Sequence, residues 1–149
     1  MNSLGKIYFH PIVDGEKVTI RNRGLLIPVY GDIPCGLPNF LDDDLKGFLE
    51  IPDDMLGDGE YFVLRAKGDS MIDAGIFGGD LVIVKKQNYA EESQIVVAFV
   101  NGETTLKRFY KNDDKQLIEL RPENNNHKTI YASQCIVLGV AVKIIKDIK

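Results

Sequence analysis

From Tyr61 onward the sequence is a succession of short runs rich in Val, Ile, Phe, Tyr and Thr. They are Tyr61–Lys67, Leu81–Lys86, Gln94–Val100, Thr104–Tyr110, Gln116–Arg121 and Ile136–Ile145, and clusters of glycine, Asn and Asp separate them. This is the pattern of an antiparallel barrel or sandwich with one or two short helical turns, so the expected fold class is mainly β. Upstream, Lys6–His10, Lys17–Ile20 and Leu25–Tyr30 also read as extended, the first two joined around Asp14-Gly15. Residues 1–34 show no 3.6-residue apolar period, and Pro11, Pro28 and Pro34 interrupt them. No helix-turn-helix, and no other direct DNA-binding module, is evident.

A chain of 149 residues is room for one compact unit that needs no disulfide or metal staple. Its formal charge of −4 argues against broad nonspecific binding of nucleic acid. Charge is uneven: residues 1–36 sum to +1, residues 37–60 to −7 and residues 61–149 to +2. The acidic belt mixes Asp42, Asp43, Asp44, Asp53, Asp54 and Asp58 with prolines and glycines, and reads as an exposed connection rather than core. The expected division is therefore an arm over 1–36, an acidic connection over 37–60 and a body over 61–149. The longest apolar stretch, Cys135 to Val142, is eight residues and far short of a span of about 20. With no signal-peptide core at the N-terminus, a cytoplasmic protein with no membrane partner is expected. Cys35 and Cys135 form no C-x-x-C pair and read as reduced thiols. His10 and His127 have no second ligand at helical or hairpin spacing, so neither a metal site nor a histidine-dependent triad is expected.

The segment with chemical promise is Gly68-Asp69-Ser70-Met71, which lies between a strand signal and the glycine-rich run Gly75 to Asp80. A serine at the start of a helical turn lies near backbone N–H groups that lack intrahelical partners. Ser70 can cap the turn through them, or the same groups can stabilise an oxyanion formed when its Oγ attacks a carbonyl. A nucleophilic serine needs a base, and the candidate is Lys107. Asn101-Gly102 is a strong hairpin signal, and a two-residue turn there pairs positions that sum to 203. Lys107 then faces Val96, and Thr105 faces Ala98 on the same side of the ribbon. Such neighbours would desolvate the amine and lower its pKa, although a lysine in this position can also carry its head out to water.

The stretch Lys67 to Val84, which reads KGDSMIDAGIFGGDLVIV, closely resembles the nucleophile segment of the LexA/UmuD self-cleaving serine peptidases. Glu103-Thr104-Thr105-Leu106-Lys107-Arg108 resembles their lysine segment, at a matching separation of 37 positions from Ser70. Pro34-Cys35-Gly36 resembles the bond that such proteins cut within themselves, and Arg121-Pro122-Glu123-Asn124 and Gly139 to Val142 also fit. The resemblance covers about residues 25–145 and implies a LexA/UmuD-like peptidase domain of antiparallel strands. Carried over by residue, it implies Ser70 as nucleophile, Lys107 as general base and the backbone N–H groups of Asp69 and Ser70 as oxyanion hole. It further implies Cys35–Gly36 as the scissile bond and Ile33 in an apolar subsite, with no cofactor. The sequence departs from the family in two places. Gly78 stands where Asp is frequent, and Pro34 removes one N–H from the cleavage strand.

The resemblance implies a homodimer stimulated by the RecA–single-stranded-DNA filament. A UmuD-like subunit, activated by the cut to work with a Y-family DNA polymerase, is the first expectation. The alternatives are the self-cleavage and dimerisation half of a LexA-like repressor, or a non-catalytic interaction module on the same fold. The strand Ile136–Ile145 reads either as a dimer edge or as a plain core strand.

Overall fold

The computed structural model describes residues 7–14, 17–31 and 45–148, with side chains from residue 24 onward. Ten strands follow in chain order: β1 (Ile7–Asp14), β2 (Lys17–Tyr30), β3 (Leu45–Pro52), β4 (Tyr61–Arg65), β5 (Leu81–Lys86), β6 (Ile95–Val100), β7 (Glu103–Asn112), β8 (Leu117–Arg121), β9 (Ile130–Ala132) and β10 (Ile136–Ile145). They hydrogen-bond in the order β1-β2-β4-β5-β10-β6-β7-β8-β9, with β3 added on β2. Every neighbouring pair is antiparallel except β2–β4, which is parallel through Val29–Val63 and Tyr30–Leu64. Among the described residues there are also short 3-10 turns at Asp53–Met55 and Ile72–Ala74, so the mainly β expectation holds. Among the described residues no helix is long and apolar enough to cross a membrane.

The β6–β7 hairpin turns on Asn101 and Gly102, at φ 52° and 81°. Both residues are left-handed, which suits the right-handed twist of the strands that they join. The turn sets the register Val96–Lys107 and Ala98–Thr105, as the sum of 203 requires. Successive side chains on β6 then serve two cores. Val97 joins Phe62, Met71, Ile76 and Val82 in one, while Val96, Ala98 and Val100 join Phe109 and Leu120 in the other. A third core, of Ile27, Ile51, Tyr61, Val63 and Ile83, lies where β2 and β3 meet β4 and β5.

Three features differ from the sequence expectation. The acidic belt, expected as an exposed connection outside the core, contains β3, whose Ile51 is buried. Its period-two alternation turns Lys46, Phe48 and Glu50 outward and Leu45, Leu49 and Ile51 inward, and the charge summed over the window conceals it. Lys17–Ile20 and Leu25–Tyr30 are parts of one strand, because β1 pairs with residues up to Leu25 and β3 pairs from Gly24 onward. The three-residue β9 has too short a run to stand out from its loop. Asp14 pairs with Lys17, but residues 15 and 16 lie outside the described residues.

Gly139 sits at a register shift of β10 against β6 and pairs with Lys86 of β5 on its other side. A Cβ there would come within 2.5 Å of the Lys85 carbonyl oxygen and of Val84 Cγ1. Backbone cannot give way as a side chain does, so Gly139→Ala should destabilise the protein by about 1–3 kcal/mol. Denaturant melts of this variant in a Ser70→Ala background measure the loss. An unchanged midpoint would contradict the close packing of β10.

Candidate active site

Between β4 and β5 the chain leaves the sheet and returns, and two backbone bonds close the base of the excursion. Ala66 N–H donates to the Asp80 carbonyl at 2.8 Å, and Gly79 N–H donates to the Ala66 carbonyl at 2.9 Å. Inside it, Met71 (3% exposed) and Ile76 (5%) anchor a tight turn in the core. Gly75, at φ 83°, ends the 3-10 turn with an N–H bond to the Ile72 carbonyl. Ser70 immediately precedes the buried Met71, so the apolar anchor fixes where its Oγ emerges. The Asp80 carboxylate accepts from Phe77 N–H at 2.8 Å and pairs with Lys146 at 2.9 Å, which ties the far side of the excursion to the residue that follows β10.

Lys107 comes to the same place from β7. Its Nζ lies 3.2 Å from Ser70 Oγ, 2.6 Å from Thr105 Oγ1 and 3.3 Å from the Leu106 carbonyl. Thr105 is two residues away on the strand and therefore on the same face. Burial pushes the Lys107 ammonium below its ordinary pKa of 10.5. No carboxylate of the described residues pairs with it to oppose that shift. In the neutral form the two N–H bonds can be given to Thr105 and Leu106, which leaves the lone pair for the Ser70 hydroxyl proton. Among the described residues, no acceptor is found for the backbone N–H groups of Asp69 and Ser70.

The two side chains open onto a cavity of about 200 Å³ whose lining includes Gly31, Leu64, Met71 and Leu106. Gly31 follows the end of β2, and Leu45 pairs with Tyr30 at the start of β3. The segment between them therefore leaves from and returns to one end of the site. Ile33, Cys35 and Gly36 belong to that segment and lie outside the described residues.

A loop not assigned any role from sequence, Pro122–His127, backs the Ser70 turn. Glu123 N–H donates to the Ser70 carbonyl at 2.7 Å, and the Glu123 carbonyl accepts from Asp73 N–H at 2.8 Å. The Asn124 side-chain amide donates to the Asp69 carbonyl at 2.8 Å, and His127 Nε2 lies 2.6 Å from Asp69 Oδ1. The Glu123 carboxylate accepts from Arg108, the residue after Lys107, so one loop binds both halves of the site. The signal was Arg121-Pro122-Glu123-Asn124, a motif that names residues without saying what they touch. His127 engages Asp69, and the contact to Ser70 Oγ comes from Lys107. Cys135 is half-buried, and burial pushes its thiol up and away from reactivity.

A lysine with a lowered pKa costs stability wherever the folded chain must carry its proton. The cost is present at neutral pH and is relieved as pH rises through the lowered pKa towards 10.5, because only the unfolded chain then holds the proton. In a Ser70→Ala background, Lys107→Met should therefore raise the melting temperature at pH 7, with the gain shrinking towards pH 10. A gain independent of pH would mean that Lys107 is not desolvated in the fold.

Residues 28–142 match the Peptidase S24-like family. The chain is similar to proteins named LexA repressor. It is 40% identical over 133 residues to that of Syntrophomonas wolfei subsp. wolfei, covering 89% of this chain and 64% of the relative. The figures for Caldicellulosiruptor saccharolyticus are 40% over 135 residues, covering 91% and 65%. Those for Desulforamulus reducens are 38% over 139 residues, covering 93% and 64%. The chain thus spans just under two thirds of the length of these relatives. With a family match over most of its length, on the fold that carries the Ser70–Lys107 contact, this chain belongs to the Peptidase S24-like family.

Proposed function

We propose that this chain is the self-cleavage and dimerisation portion of a LexA-like repressor, and that it cuts its own Cys35–Gly36 bond with Ser70 and Lys107. The observation that carries the reading is the 3.2 Å approach of a desolvated, carboxylate-free lysine amine to the serine hydroxyl. Neutral Lys107 takes the Ser70 proton as Oγ adds to the Cys35 carbonyl carbon. The charge that develops on the carbonyl oxygen is met by the N–H groups of Asp69 and Ser70. The intermediate collapses as the bond to Gly36 nitrogen breaks, and the Lys107 ammonium returns its proton to the departing amine. Water, deprotonated by Lys107, then hydrolyses the Ser70 ester and frees the Cys35 carboxylate. Thr105 and Leu106 hold the amine in line throughout.

Tethering supports cleavage within one chain. Cys35 is four positions beyond Gly31, a reach of at most about 14 Å for extended chain, and Gly31 already lines the cavity. Nucleophile and substrate thus meet in a unimolecular step. Control falls to docking of that segment, which a RecA–single-stranded-DNA filament would favour. The polymerase-accessory reading shares the same chemistry, but the repressor name carried by the relatives favours the first reading. For dimerisation, the support is β10. Its residues Ala141–Ile145 pair with β5 on one side and with no strand of the described residues on the other, and Val142, Ile144 and Ile145 are exposed.

Intact mass of the purified chain, incubated from about pH 7 to about pH 10, should reveal a break between Cys35 and Gly36 that accelerates with pH. Ser70→Ala and Lys107→Ala should both abolish it. A chain uncut at every pH, even with RecA filament and ATP, would leave the non-catalytic alternative. Sedimentation of Ser70→Ala should give a dimer, and adding Ile144→Asp should shift it towards monomer. A mass unaffected by that change would place the dimer contact elsewhere.

A further inference from the structure

The carbonyl of Asp69 and the N–H of Ser70 belong to one planar trans peptide unit, so they point in opposite directions. Whatever grips that carbonyl therefore aims that N–H. The turn's own bond to the carbonyl, from Ile72 N–H, is long at 3.4 Å, whereas the Asn124 amide donates to it at 2.8 Å. Asn124 is only 8% exposed. Its orientation is dictated at both ends: Oδ1 accepts from Asn126 N–H at 3.0 Å, so Nδ2 must face Asp69. A flipped amide would set oxygen against carbonyl oxygen and nitrogen against N–H. The backbone around it is fixed too, since His127 N–H donates to the Asn124 carbonyl at 3.0 Å.

We infer that Asn124 is a positioning residue for the oxyanion hole: by holding the Asp69 carbonyl from behind, it points the Ser70 N–H at the oxygen that gains charge during self-cleavage. The inference rests on the roles given to Ser70 and Lys107 above. Asn124 makes no hydrogen bond to Lys107 and acts only through the Asp69–Ser70 peptide. Without its amide that peptide keeps one long bond and can rotate its N–H out of line. Hole donors work because they are already aimed when charge develops, and a misplacement of about 1 Å is worth about 10²-fold in rate.

The test is the first-order cleavage rate of the full chain from about pH 7 to about pH 10, for wild type, Ser70→Ala, Asn124→Ala, Asn124→Asp and Asn125→Ala. Cutting in wild type and none in Ser70→Ala establishes the underlying reading; an uncut wild type removes that reading and the inference with it. Asn124→Ala should lower the high-pH plateau by about 10- to 100-fold while the pH midpoint set by Lys107 stays in place. Asn124→Asp, of equal size but with no N–H to give, should lose at least as much. Asn125, exposed on the same loop, should be replaceable at no cost. In a Lys107→Ala background, which stays whole, Asn124→Asp should also shift the Ser70 backbone amide resonance. With wild type cutting, Asn124 variants that cut at the wild-type rate would overturn the inference. So would a moved midpoint in Asn124→Ala, which would assign the residue to the lysine. Loss of cooperative melting in both variants would assign it to the fold and overturn it equally.

Discussion

The site depends on a half-buried lysine that no carboxylate of the described residues pairs with. A buried amine is tolerated only if it loses its proton or finds acceptors for it, and Lys107 has three: Ser70 Oγ, Thr105 Oγ1 and the Leu106 carbonyl. A carboxylate in place of any of these would hold the proton on the amine and remove its use as a base. That no carboxylate of the described residues pairs with Lys107 is thus the chemically informative feature. Burial lowers the amine's pKa, at a cost in stability that a small β domain must recover elsewhere. The dry packing of Val96, Val97 and Ala98 on the neighbouring strand is where that recovery is visible.

Three separate stretches of chain meet around that amine, and each is held by a different kind of constraint. The β6–β7 turn sets the register of Lys107 through backbone geometry. Met71 and Ile76 set the position of Ser70 by apolar burial. The loop Pro122–His127 then joins the two, through Glu123 and Asn124 on the Ser70 turn and Arg108 on the lysine strand. Register and burial are thus set locally, and hydrogen bonding through the loop couples the two.

What the sequence disclosed follows the same division. Leu81–Lys86 and Ile136–Ile145 were legible to the residue because both runs are rich in Val and Ile and each begins after a polar stretch. The opposition of Lys107 and Val96 was legible because Asn101-Gly102 leaves little choice of turn. β3 was hidden because its alternation competes with acidic neighbours, and the unity of β2 was hidden because two different partners hold its halves. The Asn124 contact joins positions 55 apart through one amide, and no local pattern encodes such a contact. The family motif that contains Asn124 named the residue but not its partner.

The preassembled contact between Ser70 and Lys107 also bears on where control of the proposed reaction must reside. In the proposed reaction, a serine and lysine already 3.2 Å apart have little to gain from rearrangement, which would leave docking of the Cys35–Gly36 bond as the adjustable quantity. Both ends of its segment are anchored at one end of the site, at Gly31 after β2 and at Leu45 in β3. Anchoring sets a high local concentration but leaves the docked fraction free to be small. A partner that moves such an equilibrium from 1:99 to 99:1 must prefer the docked form by about 5.5 kcal/mol. That is within reach of a protein interface, whereas a carboxylate brought up to Lys107 would act in the opposite sense by keeping the base protonated. On the proposed reading, stimulation would therefore act on the segment between β2 and β3 and leave Ser70 and Lys107 unaltered.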